Sequence, residues 1–160
     1  MYDFNLLVSC SWTEPGRAKR EIFHFLRLLG DDNPFVQRTM ARGIIGVKTQ
    51  LDSRSVVKEL ISIFGKGAGS FRFTLKWIPV DLWVDSDLES MKEAVKNVKD
   101  RITADKTWRL TVEKRRYTLH HKIDIIKELA ALIEAKVDLE NPRKILRIDI
   151  VGRYAGVSVI

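Results

Sequence analysis

The sequence predicts an α+β chain built as two lobes, and three observations predict it. Period-two alternation and helical apolar spacing follow one another through all 160 residues, so strands and helices are interleaved. The pattern is interrupted between residues 77 and 86, where Pro79 breaks a strand and a new helix start follows. The third observation is charge. Lys106, Arg109, Lys114, Arg115, Arg116 and Lys122 face one acid, Glu113, over residues 106–122, a local charge of +5. Arg143, Lys144, Arg147 and Arg153 face Asp149 over residues 141–160, a further +3. The whole chain carries +7, so the remaining residues sum to −1 and the basicity reads as regional.

In order, residues 4–11 alternate as a strand, and Thr13, Glu14 and Pro15 open a helix with proline in its first turn. Ala18, Ile22, Phe25, Leu26 and Leu29 give that helix one apolar stripe, which Gly30 ends. Residues 35–40 and 44–49 read as a hairpin around Ala41, Arg42 and Gly43. Asp52 or Ser53 caps a second helix whose buried face is Val56, Val57, Leu60, Ile61 and Phe64, with Gly65 at its end. Phe71, Phe73 and Leu75 alternate in a fourth strand. This βαββαβ order is the ferredoxin-like unit, in which two crossovers place both helices on one face of an antiparallel sheet.

Beyond the interruption, Ser86 and Glu89 form a capping box for a helix with the stripe Leu88, Met91, Val95, Val98 and Ile102. Trp108, Leu110 and Val112 then alternate with Arg109, Thr111 and Glu113 in a strand over 108–114. Ile123, Ile126, Leu129, Ala130 and Ile133 mark a helix over about 119–136. Residues 137–142 form a loop, and 145–151 and 154–160 are two strands joined near Gly152. The resulting domains are 1–77 and 78–160.

Function is constrained mostly by charge. A pI of about 9.6 with regional basicity points to a polyanionic partner. Lys106, Arg109, Lys114, Arg115, Arg116, Tyr117, His120, His121 and Lys122, with Arg143, Lys144, Arg147 and Arg153, are the candidate contacts. The first group fills the passage from a strand into a helix N-terminus, where unpaired backbone N–H groups and the helix dipole favour phosphate. Among Trp12, Trp77, Trp83, Trp108 and Tyr117, the strand alternation assigns Trp77 and Trp108 to the core and leaves Tyr117, beside Arg116, as the best stacking candidate.

Other chemistry finds little support. The stretch Gly65-Lys66-Gly67-Ala68-Gly69-Ser70 leaves a helix and enters a strand, the reverse of a phosphate-cradling loop, and reads as a connection. His24 reads as a structural mid-helix residue. Adjacent His120 and His121 point about 100° apart on a helix and cannot share a metal. No catalytic constellation, cofactor motif or metal-ligand spacing stands out, so the expectation is a non-enzyme without cofactor. No apolar run approaches the roughly 18 residues of a membrane helix, residues 1–3 carry no charged signal region, and Cys10 is single. Together these give an expectation of a soluble cytoplasmic protein without membrane contact.

The second half resembles a THUMP domain, the RNA-binding module of thiouridine synthases, RNA methylases and pseudouridine synthases. The matching residues are P-V-D from Pro79, D-L-E from Asp87, T-W-R-L-T-V-E-K-R-R from Thr107, V-D-L-E-N-P from Val137 and I-D-I-V-G-R-Y-A-G-V-S-V from Ile148. The first half is similar to the ferredoxin-like unit that commonly precedes it, through F-N-L-L-V-S-C from Phe4 and G-I-I-G-V-K-T from Gly43. Where that family often has Asp after N-P, this chain has Arg143, which adds charge. The resemblance implies a tRNA partner held near its acceptor stem and 3′ end. With the sequence ending at Ile160, it implies in particular a stand-alone adaptor that delivers tRNA to a tRNA-modifying enzyme, a cytidine acetyltransferase. Two other readings stay open: the RNA-binding front end of a longer thiouridine synthase or methyltransferase, and a protein-interaction module.

Overall fold

The computed structural model describes residues 1–64 and 71–160. The glycine-rich connection and the Gly65 helix stop lie outside the described residues. The chain divides into two compact units, Asp3–Val80 and Asp81–Ile160, with Met1–Tyr2 joining the latter. The division therefore falls three residues beyond the expected 77/78, because the fourth strand runs on through Pro79.

The first unit contains β1 (Leu6–Cys10), α1 (Pro15–Leu28), β2 (Phe35–Arg38), β3 (Ile44–Lys48), α2 (Ser53–Phe64) and β4 (Thr74–Pro79). Its sheet has the order β2-β3-β1-β4, antiparallel throughout, which is the ferredoxin-like connectivity expected. Ala18, Ile22, Phe25 and Leu26 of α1 and Val56 and Leu60 of α2 pack on Leu6, Val8, Val36, Ile45 and Val47, so both helices cover one face. Pro15 opens α1 as expected, and Asp52 is the cap of α2, accepting from the Ser55 N–H at 2.8 Å. Gly43 at φ +76° closes the hairpin; a Cβ there would lie 2.8 Å from the Cys10 carbonyl oxygen, so no other residue fits without backbone movement.

Three expectations for this unit are corrected. Phe71 and Phe73 precede β4 instead of alternating within it: the N–H groups of Arg72, Phe73 and Thr74 are taken by the Glu21 carboxylate of α1 at 2.7, 2.9 and 2.6 Å, and Leu75 points outward. Pro79 is accommodated because β4 is an edge strand, where a missing N–H costs no ladder bond. Ile61 and His24 are exposed rather than structural, Ile61 because the buried stripe of α2 is narrower than its apolar content.

The second unit contains β5 (Leu82–Asp85), α3 (Leu88–Val98), a 3-10 turn (Lys99–Arg101), β6 (Trp108–Arg115), α4 (Lys122–Ala130), β7 (Lys144–Val151) and β8 (Tyr154–Val159). The sheet order is β5-β8-β7-β6, with β6 and β7 parallel and the other pairs antiparallel. β5 was not expected from the sequence. Leu146, Ile148 and Ile150 lie at the middle of the core, with Trp108 and Val112 beside them and Met91, Val95, Ile125 and Leu129 packed on top. Trp108 is 1% exposed and its indole N–H donates to the Ala135 carbonyl at 2.8 Å, the core role expected. Asp81 of the P-V-D motif accepts from the Val159 N–H at 2.9 Å and pairs with Arg101 at 2.8 Å, fixing the closing strand.

Two helix boundaries differ from expectation. The cap of α3 is Asp87, whose carboxylate accepts from the Ser90 N–H at 2.8 Å; Ser86 is unavailable because its hydroxyl donates to the Gly152 carbonyl at 3.0 Å. Helix α4 ends at Ala130 rather than near 136, with Ile125 and Leu129 buried and Ile123 exposed. Tertiary contact ends it: Trp108 N–H donates to the Lys136 carbonyl at 3.0 Å and Val137 bridges to Trp108, so that segment pairs with β6 instead of winding on. Among the described residues no helix is long and apolar enough to cross a membrane.

The Asp87 cap gives a stability prediction. The Ser90 hydroxyl and N–H hold its carboxyl below the usual carboxylate range. A depressed folded pKa means the cap contributes fully above about pH 3.9, the unfolded value, and is lost as pH falls through the folded one. Asp87→Ala is expected to cost about 1 kcal/mol at neutral pH, measured by urea unfolding, and the difference from wild type should shrink toward pH 2. A constant difference across that range would show that the cap does not act through its charge.

Candidate nucleic-acid interface

The thirteen candidate residues do not form one site, because β6 carries them to both of its ends. Lys106, Arg109, Arg143 and Lys144 lie where β6 and β7 begin: Trp108 is in register with Lys144, and the N–H groups of Arg143 and Lys144 each donate to the Thr107 carbonyl at 3.0 Å. Lys114, Arg115, Arg116, Tyr117, His120, His121, Lys122 and Arg153 lie where those strands finish, since Arg115 is in register with Val151 and the Gly152 N–H donates to the Arg115 carbonyl at 2.9 Å. The eight residues of β6 put its two ends roughly 23 Å apart at about 3.3 Å per residue, with Arg109 near one end and Lys114 near the other.

Several of these cations are already engaged. Asp149, 1% exposed, accepts from Arg115 at 3.0 Å and from Arg147 at 2.6 and 3.0 Å, so Arg147 in mid-strand and Arg115 are held by a buried carboxylate. Lys114 donates to the His120 carbonyl and lies over the Tyr117 ring, 5.5 Å from its centroid. Arg109 donates to the Leu139 carbonyl at 3.0 Å at the other end. Lys106 and Arg143 flank Asp105, whose carboxyl is held low mainly by the Thr103 hydroxyl and also by these two charges. The V-D-L-E-N-P loop beside them is shaped by Asp138, which accepts from the N–H groups of Glu140 and Asn141 at 3.1 and 2.9 Å.

Tyr117, the expected stacking residue, is held in place by the fold. It is half-buried, packs against the core and donates its hydroxyl to the Ser86 carbonyl at 2.8 Å. Burial pushes its pKa up, with the nearby Asp87 charge adding to the effect, so the donor keeps its proton. A ring fixed in this way braces the turn that follows β6.

What remains open at the carboxyl end of β6 and β7 is compact. Arg116, Lys122 and Arg153 are exposed, and among the described residues their side chains make no ion pair or hydrogen bond. Arg116 adopts φ +57°, a left-handed conformation unusual for a side-chain-bearing residue, which ends β6 sharply. His121 is the N-cap residue of α4 but makes no side-chain cap; its carbonyl accepts from the Asp124 and Ile125 N–H groups at 3.1 and 3.2 Å, and Asp124 is the one acid in the first turn. The neighbouring α3 start differs, because the Asp87 carboxylate caps it by accepting from the Ser90 N–H. A helix N-terminus without a side-chain cap, with three unpaired cations against the one acid Asp124, lies outside the carboxyl ends of parallel strands, where open α/β sheets receive anions.

Sequence reasoning missed the charge of the first unit. Residues 3–80 hold twelve Lys/Arg against seven Asp/Glu, a net +5, whereas residues 81–160 hold sixteen against fourteen, a net +2. The −1 left outside the two basic stretches is thus +5 from the first unit cancelled by −6 from the rest of the second. Counting by domain rather than by stretch exposes this. On α1, Arg17, Arg20, His24 and Arg27 recur at helical spacing on the solvent face, a stripe that the apolar pattern alone implies.

An α+β domain whose mixed sheet gathers exposed cations at one end defines the class. The family model described as THUMP domain matches residues 85–160, and this part of the chain is a THUMP domain, an RNA-binding module associated with RNA modification. No curated protein sequence matches the chain. Similar solved structures include PH1313 from Pyrococcus horikoshii Ot3, 16% identical, covering 97% of this chain and 53% of that one with a TM-score of 0.64. TrmN from Thermus thermophilus is 13% identical, with 96% and 44% covered and a TM-score of 0.61. A 4-thiouridine synthetase in complex with RNA and ATP is 18% identical, with 99% and 41% covered and a TM-score of 0.59. At these identities the likeness establishes the fold, and the chain spans about half the length of each structure or less.

Proposed function

We propose that this chain is a tRNA-binding adaptor without chemistry of its own, acting in the cytoplasm to present the acceptor stem and 3′ end of tRNA to a modifying enzyme, a cytidine acetyltransferase. The observation that carries the reading is the THUMP domain over residues 85–160 with Arg116, Lys122 and Arg153 unpaired around the uncapped start of α4. Cations of this kind bind backbone phosphate, so affinity comes from charge and RNA shape more than from base identity.

The test is a titration of intact tRNA, tRNA lacking its 3′ single strand, and a plain RNA duplex at several salt concentrations. Three phosphate contacts at about 0.7 to 0.9 each predict a log-log salt slope of about −2 to −3, with intact tRNA bound most tightly. A flat salt response, or equal affinity for all three RNAs, would return the protein to nonspecific binding. A tRNA cytidine acetylation reaction run with and without the chain tests the enzyme partner; equal rates would remove the adaptor role.

A second reading has its own observation. The TrmN and 4-thiouridine synthetase structures are each about twice as long as this chain, which matches 44% and 41% of them. These residues would then be the RNA-binding front end of a longer modifying enzyme. The complete open reading frame decides: a catalytic domain after Ile160 supports this reading and sinks the adaptor.

A further inference from the structure

The first unit has a cavity of about 360 Å³ beside the start of α1, bounded on one side by Trp12 and Pro15 and on the other by the β2–β3 turn with Arg38, Met40 and Arg42. That volume is at the small end of the roughly 300–1,000 Å³ typical of ligand sites, so it suits one nucleotide and excludes a duplex. Its lining contains two arginines and no acid. Of the four tryptophans, Trp83 and Trp108 are buried, Trp77 is half-buried, and Trp12 is 66% exposed. An indole left that open in a pocket is not serving the fold.

Both walls are built before anything binds. On one, Thr39 accepts from the Ala41 N–H at 3.2 Å and donates to the Ile44 carbonyl at 3.0 Å, which pins buried Ala41 inward and turns Met40 and Arg42 out. On the other, the Ser11 and Thr13 hydroxyls are 2.7 Å apart and fix the loop that carries Trp12. The floor includes Cys10, whose thiol burial pushes up in pKa, with the Arg38 charge a smaller opposing influence; it adds no anion to the pocket. Preformed walls lower the ordering cost of binding. The +5 charge of this unit and the α1 stripe of Arg17, Arg20, His24 and Arg27 supply a cationic surround.

We propose that this cavity seats one unpaired nucleotide of the bound RNA, with Trp12 stacking on its base and Arg38 and Arg42 holding the phosphates on either side. The proposal rests on the RNA-binding reading above and adds a contact in the first unit. Every base offers a π-face, so the seat selects single-stranded RNA without selecting sequence.

The experiment compares the full chain with Trp12→Ala, Trp12→Phe and the Arg38→Glu, Arg42→Glu double variant. The probes are a fluorescent RNA stem with a five-nucleotide single-stranded extension and the same stem with blunt ends, followed by anisotropy. Trp12→Ala should weaken binding of the extended stem by roughly 5- to 150-fold, the range for losing one stacked base, and leave the blunt stem unchanged. Trp12→Phe should recover most of the loss, and the double arginine variant should lower the salt slope on the extended stem. An equal effect of Trp12→Ala on both RNAs, or none on either, overturns the nucleotide seat. Failure of the wild-type chain to bind any RNA instead overturns the functional reading beneath it.

Discussion

Reversing Arg116, Lys122 and Arg153 to glutamate together is expected to weaken tRNA binding at low salt by about a hundredfold or more and to flatten the log-log salt slope by about 2 to 3. All three are exposed and unpaired among the described residues, so the urea midpoint should not move. The informative control reverses the opposite end of the sheet. A Lys106→Glu, Arg143→Glu, Lys144→Glu variant changes charge by the same amount at the start of β6 and β7. It should cost far less, and any loss should be the part due to net charge alone. Equal losses from both variants would mean that the whole surface attracts RNA without a defined seat. An unchanged slope in the first variant would remove the start of α4 from the interface.

Asp149→Ala is expected to destabilise the second unit by about 3 kcal/mol, near the lower bound for removing one partner from a buried ion pair. The carboxylate is 1% exposed and the Arg147 and Arg115 side chains are 14% and 24% exposed, so neither guanidinium is well placed to recover its hydration. Arg115→Glu should be destabilising for the same reason, because it sets a second carboxylate against the first, whereas Arg116→Glu, one residue on, should leave the fold intact. Equilibrium unfolding of the three variants checks this. A wild-type midpoint for Asp149→Ala would show that the cluster adds nothing, and Arg115 and Arg147 would return to the list of RNA contacts.

These expectations differ from the sequence reading in how they use the same residues. Arg115 and Arg116 look equivalent in K-R-R-Y, yet one is tied to a strand residue 34 positions away and the other points into solvent. Tyr117 reads as an aromatic in a basic turn, and the structure spends its hydroxyl on Ser86, 31 positions away. Trp12 lies outside the strand alternation that places Trp77 and Trp108 in the core, but only the structure shows it exposed beside the β2–β3 turn.

By itself the sequence determined most of the strands and helices, their order and the βαββαβ topology of the first unit, because apolar periodicity, proline and glycine act within a few residues of themselves; the THUMP likeness of the second unit came from the resemblance of its motifs to that family. It also determined that the chain is basic. Tertiary structure decided β5, the early end of α4, the cap at Asp87 and which cations are free, since each depends on a partner far along the chain: β8 for β5, Trp108 for the segment after α4, Gly152 for Ser86 and Asp149 for two arginines. The same parallel pairing of β6 with β7 that brings Arg153 beside Arg116 also carries Lys106 and Arg143 to the far end of the sheet, because strand direction, not closeness in sequence, sets which charges meet.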